Sequence, residues 1–117
     1  IKDPKFINIV LKIRTFLSPY QLLNKCKKIE NELGRIRNYK NQPRTCDIDI
    51  IDFDNIILKS VKKNHLNLPH ADTSNRSFVL LPLYEISKTW RHPKTNIKIS
   101  KLINLLNVDD LSTIKQV

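Results

Sequence analysis

The 117-residue chain is 40% hydrophobic, carries a formal net charge of +10, and contains two cysteines, one glycine and no methionine. No apolar run approaches the roughly 18–20 residues that a helical membrane span needs, which excludes that class and leaves one small soluble domain over residues 1–117 as the expectation. Ile, Lys and Asn dominate as in an AT-rich genome and the lysines are scattered, so the basic balance points to a solvated surface or a nucleotide site ahead of nucleic acid.

Cys26 and Cys46 lie outside any CxxC pair, and no secretory signal is visible, so two inert thiols in a reducing, cytoplasmic setting are expected. The chain runs from Ile1 almost directly into a strand pattern, which suggests that something upstream is missing.

From Phe6 to Arg14, "FINIVLKIR" alternates: Ile7, Ile9, Leu11 and Ile13 share one face, expected to be core, and Phe6, Asn8, Val10, Lys12 and Arg14 share the other. In "SPYQLLNKCKKIENELGRIR", Ser18 as N-cap, Pro19 at the first helical position and Gln21 at N3 spell a capping box. Leu22, Cys26, Ile29 and Leu33 recur at helical spacing, and Gly34 stands where a left-handed residue would end the helix.

"NYKNQP" is a polar loop into "TCDIDIIDF", which alternates again, with Cys46, Ile48 and Ile50 on one face and Asp47, Asp49, Ile51 and Phe53 on the other. "DFDNIIL" predicts a tight Asp-Asn hairpin into a short strand. After "LNLPH", "ADTSN" is a turn-rich loop, "FVLLPLYEI" a helix shortened or kinked by Pro82, Trp90 a packing residue, and "SKLINLLN" a short amphipathic helix. The order strand, helix, strand, strand, helix predicts an α+β layering, with helices covering one side of a mainly antiparallel sheet.

Asp47 and Asp49 should therefore point the same way, with Cα atoms roughly 6–7 Å apart. Two carboxylates so placed need an offsetting cation, and magnesium takes oxygen ligands from one or two carboxylates, water and phosphates. The bland alternative is a pair of edge-strand charges facing lysines. The arginines nearby, Arg35, Arg37, Arg44 and the later Arg76, together with His70, favour a clamp on phosphate oxygens, and Asp, Arg and magnesium together suit phosphoryl transfer.

"PRTCDIDII" closely resembles the signature of the 6-hydroxymethyl-7,8-dihydropterin pyrophosphokinase family of the folate pathway. "ELGRIR" looks like the helix exit before that signature, "LPHADTSNRSFVLLPLYEI" like the family's Pro-His, Asn-Arg, Phe and Pro-Leu segment, and "FIN" like its pterin-side strand. The resemblance spans residues 4 to 106 in the family's order.

That resemblance implies transfer of pyrophosphate from ATP to the pterin hydroxymethyl oxygen, releasing AMP, by a monomer whose partners are these small molecules and neither nucleic acid nor membrane. By similarity, Asp47 and Asp49 would hold two magnesium ions, with Asp47 near the substrate hydroxyl. Arg35 and Arg44 would close over the triphosphate, His70 and Arg76 would bind phosphate oxygens, and Arg37 would lie near the nucleotide. Asn8 would hydrogen-bond the pterin, and Phe6 and Phe78 would sandwich it; Phe78 could equally be plain core.

The family's first strand, with its Gly-Ser-Asn type motif and following helix, has no counterpart in the sequence. A ferredoxin-like sheet lacking them is the implied fold, expected to be poorly stable and barely active. A basic ferredoxin-like nucleic-acid-binding module and a noncatalytic partner module are the competing classes. Aromatics clustered at strand ends argue against the first, and the intact Asp47, Asp49, Arg44 and His70 against the second.

Overall fold

The computed structural model describes residues 7–34, 46–60 and 66–106. The chain divides into two compact units, Thr15–His70 and Ile1–Arg14 with Ala71–Val117.

In the unit Thr15–His70, helix α1 spans Pro19–Gly34. Its start follows from the capping box: the Ser18 N–H donates to Gln21 Oε1 at 2.8 Å, and the Gln21 N–H donates back to Ser18 Oγ at 3.2 Å. The Leu22 N–H reaches the Ser18 carbonyl at 2.9 Å and closes the first turn. Two amides that the helix cannot satisfy internally thus gain partners. Cys26 is buried on this helix, with Leu22, Glu30 and Leu33 half-buried along the same stripe, while Ile29 lies largely in solvent. Gly34 ends the helix without a positive φ, so the expected left-handed residue is not formed; Gly34 keeps the helical conformation as the last residue of α1.

Burial alternates from Cys46 to Ile50, Asp47 and Asp49 exposed and the other three half-buried, as an extended run requires. The hairpin turn at "FDNI" is present. Asp54 and Asn55 adopt φ of 49° and 59°, and the Ile56 N–H donates to the Phe53 carbonyl at 2.9 Å, the type I′ arrangement. Leu58 and Leu68 exchange both backbone hydrogen bonds, at 2.9 and 2.8 Å, as an antiparallel bridge. Leu66 and Leu68 are buried, and the His70 N–H donates to the Ile51 carbonyl at 2.9 Å.

The other unit is built from a 3-10 turn at Thr73–Asn75, α2 (Ser77–Ile86) and α3 (Ile99–Asn104). α2 packs on the turn and on α3. Leu80 and Ile99 are fully buried, surrounded in the core by Val79, Leu83, Leu102, Thr73 and Ser77. Pro82 lies inside α2, which ends four residues later.

Between α2 and α3 the chain turns at an unforeseen hairpin bridged at Arg91 and Lys98. Buried His92 organises it: its Nδ1 accepts the N–H groups of Lys94 and Thr95 at 3.2 and 3.3 Å, which fixes the imidazole proton on Nε2. Half-buried Trp90 meets the His92 ring edge-on at 5.9 Å, a packing role as expected.

Two further expectations change. No strand forms among the described residues, and antiparallel pairing there is limited to the two isolated bridges. The face Ile7, Ile9, Leu11 and Ile13 is not core: those side chains are 60 to 75% exposed, and Val10 from the opposite face is the half-buried one. Alternation marks which side chains share a face, but burial needs an element packed on that face, and the buried contacts of this unit form between α2, α3 and the 3-10 turn instead.

Candidate active site

The two aspartates stand on the exposed side of the run 46–50, in the alternation anticipated. Hydrogen bonds from other segments hold that run. On one side the Ile48 N–H donates to Glu30 Oε2 of α1 at 2.7 Å; further along, the Ile51 carbonyl accepts the His70 N–H. His70 is therefore anchored by its backbone, and its Nε2 lies 3.9 Å from Asp49 Oδ2, an ion pair whenever the imidazole is protonated. Asp49 and His70, twenty-one positions apart, are thus brought together.

Asp47 and Asp49 offer exposed oxygen donors and no sulfur, a donor set that suits a hard ion completing its shell with water and phosphate oxygens. Among the described residues no group of three His, Cys, Asp or Glu side chains forms a ready metal cage. Magnesium usually keeps several waters and borrows substrate oxygens, and two exposed carboxylates are donors of the kind it takes.

In the second unit, Arg76 precedes α2. Its Nη2 donates to Asp72 Oδ2 at 3.1 Å, and its guanidinium carbon lies 5.5 Å from the centroid of the Phe78 ring. A carboxylate and an aromatic face together narrow the orientations of the guanidinium fork. Phe78 is 37% exposed, unlike its neighbours Val79 and Leu80, so it is not plain core. Asn8 is exposed. Phe6, Arg35, Arg37 and Arg44 lie outside the described residues.

Sequence reasoning missed Glu30 and Asp72. Asp72 carried a signal, an acid four residues before an arginine. Glu30 carried a subtler one, a carboxylate one turn after Cys26 on the helix stripe that faces inward. Its charge is felt there: burial first, and then Glu30, push the Cys26 thiol above its ordinary 9.0.

Comparison with known proteins adds the wider context. The family model for 7,8-dihydro-6-hydroxymethylpterin-pyrophosphokinase (HPPK) matches residues 1–88. The chain belongs to this family. A 2-amino-4-hydroxy-6-hydroxymethyldihydropteridine pyrophosphokinase of Haemophilus influenzae is 41% identical over 101 residues, covering 86% of this chain and 61% of the relative. The enzyme of the same name from Synechocystis is 38% identical, covering 86% of this chain and 50% of its own. The folic acid synthesis protein FOL1 of Dictyostelium discoideum is 38% identical over 114 residues, 97% of this chain but 17% of that protein. The chain thus spans less than two thirds of the length of these curated relatives. Membership of the pyrophosphokinase family implies its α+β ferredoxin-like fold, of which the described residues display the helices. Among the described residues no helix is long and apolar enough to cross a membrane.

Proposed function

We propose that the chain is the greater part of one pterin pyrophosphokinase domain, which transfers pyrophosphate from ATP to 6-hydroxymethyl-7,8-dihydropterin in folate biosynthesis. The observation that carries this reading is the family match over residues 1–88, joined to the exposed Asp47 and Asp49 and the approach of His70 to Asp49 at 3.9 Å. Its fold is a ferredoxin-like antiparallel sheet with helices on one face. It acts as a cytoplasmic monomer on small molecules rather than on nucleic acid.

In the reaction, the pterin hydroxymethyl oxygen attacks the β-phosphorus, the bond from that phosphorus to the bridging α–β oxygen breaks, and AMP departs with its electron pair. The hydroxyl proton leaves to solvent or to a carboxylate, and Asp47 is the residue assigned beside it. Asp47 and Asp49 would hold two magnesium ions, whose charge would be supplied where negative charge develops on the phosphoryl and leaving oxygens.

The chain's own side chains do the rest. Arg35 and Arg44 close over the triphosphate, Arg37 lies along the nucleotide, and His70 and Arg76 hold phosphate oxygens. Asn8 reads the pterin edge, and Phe6 and Phe78 hold its faces, a stacking worth about 0.5–1.5 kcal/mol per ring beyond burial. Positioning and charge stabilisation supply most of the rate in phosphoryl transfer, so these cations are as necessary as the acids.

The test is direct. With ATP, magnesium and the pterin, phosphorus NMR should show AMP appearing in step with the pterin diphosphate, and both should vanish on Asp47→Ala or Asp49→Ala. Absence of AMP with the unaltered chain would refute the proposal.

A further inference from the structure

Ile48 sits between the two aspartates, and its amide is held by a carboxylate on another element. The Glu30–Ile48 bond is short at 2.7 Å and joins two half-buried residues eighteen positions apart. A bond to an ionised acceptor is about twice as strong as a neutral one. Glu30 sits one turn beyond buried Cys26, so the carboxylate is anchored by the best-packed part of its helix.

Backbone groups of an extended run alternate between its two edges, so those of Ile48 and Ile51, three apart, face opposite ways. Glu30 takes one edge, and the His70 N–H takes the other. The run that carries Asp47 and Asp49 is gripped on both sides, once from α1 and once from the residue that approaches Asp49. Glu30 is half-buried and commits Oε2 to the Ile48 amide, whereas Asp47 and Asp49 are exposed, so its part differs from that of the two aspartates.

We propose that Glu30 is a positioning residue for the Asp47 and Asp49 pair: by accepting the Ile48 N–H, it sets the backbone from which both carboxylates present themselves to metal and phosphate. This rests on the pyrophosphokinase reading. A merely structural carboxylate would serve the stability of α1, whereas this one acts on metal affinity through the geometry of its neighbours, as outer groups around metal sites commonly do.

The experiment titrates Mn²⁺ as a paramagnetic probe into the full chain with a non-hydrolysable ATP analogue, following free Mn²⁺ by electron paramagnetic resonance. Glu30→Ala should weaken Mn²⁺ binding by about tenfold, in the range usual for lost outer-shell partners. Glu30→Gln, which keeps an acceptor oxygen, should restore binding to within about threefold, since a neutral hydrogen bond replaces a charged one. Mn²⁺ binding by Glu30→Ala equal to that of the parent, or equal losses in both variants, would overturn the inference. Asp47→Ala is the control for the underlying reading; if it bound Mn²⁺ as the parent does, that reading would fall and the positioning role with it. Hydrogen exchange supplies an arm independent of how the variants fold: the Ile48 amide of the parent should be protected, and free exchange would overturn the proposal.

Discussion

Arg76 offers a sharp separation of stability from function. In Arg76→Ala the protein loses an exposed ion pair with Asp72, four residues away, and the stacking of the guanidinium on Phe78. Exposed pairs at this spacing contribute about 0.3–0.5 kcal/mol, and an exposed cation–π contact about 0.5–1 kcal/mol. Arg76 occupies the N-cap of α2 but makes no side-chain capping bond, so alanine forfeits nothing further there. The loss from these two contacts is then about 0.8–1.5 kcal/mol, and for a chain of this length Tm should fall by about 3–6 °C.

Nucleotide binding should suffer far more. A hydrogen bond to a charged group is worth about 1.5–3 kcal/mol, so losing the phosphate contact proposed for Arg76 should raise the Kd for ATP about 10- to 150-fold. Calorimetric melting and titration with a fluorescent ATP analogue measure the two quantities side by side. Arg76→Lys should fall between parent and alanine, because it keeps the charge without the planar fork. Unchanged affinity accompanied by a Tm drop well beyond about 10 °C would refute the reasoning and make Arg76 a structural residue.

Three further outcomes are expected. Ser18→Ala should cost about 1 kcal/mol in urea unfolding, with Gln21→Ala adding little once the reciprocal pair is broken. Asn55→Gly should leave stability unchanged or slightly raised, whereas Asn55→Val should lose about 1–2 kcal/mol, because a β-branched residue is forced to a φ of 59°. The Cys26 thiol, held above 9.0, should be alkylated more slowly than Cys46 at pH 8, and Glu30→Gln should quicken it by removing the lesser of the two causes. The linkage has a definite sign: the folded chain binds this proton more tightly than the unfolded one. The thiol's contribution to stability is therefore complete below pH 9.0 and is lost as pH climbs through the folded value.

Features legible in the sequence were those decided within a few residues. Ser18 and Gln21 find each other across one helical turn, and Asp54 with Asn55 tolerate the left-handed turn because their short polar side chains do. The alternation at 46–50 placed both aspartates correctly on one exposed side. What stayed hidden depends on distant partners. Nothing local in "RHPKTN" announces that His92 will gather two amides on one ring nitrogen, and nothing near Ile48 announces an acceptor eighteen residues earlier. Gly34 met the compositional rule for a helix end yet needed no left-handed φ, since glycine permits that conformation without requiring it.

The open apolar row Ile7, Ile9, Leu11 and Ile13 has a consequence for the behaviour of the protein in solution. An exposed hydrophobic row with two-residue period is a surface by which the chain can stick to another. Ten net positive charges oppose such encounters by keeping molecules apart. That protection reaches only as far as charges are felt, about 8 Å at physiological ionic strength and about 3 Å in molar salt. Colloidal stability should therefore run opposite to the habit of charge-paired proteins: dilute buffer keeps this chain dispersed, and added salt, by screening the repulsion between molecules, lets the apolar row drive association.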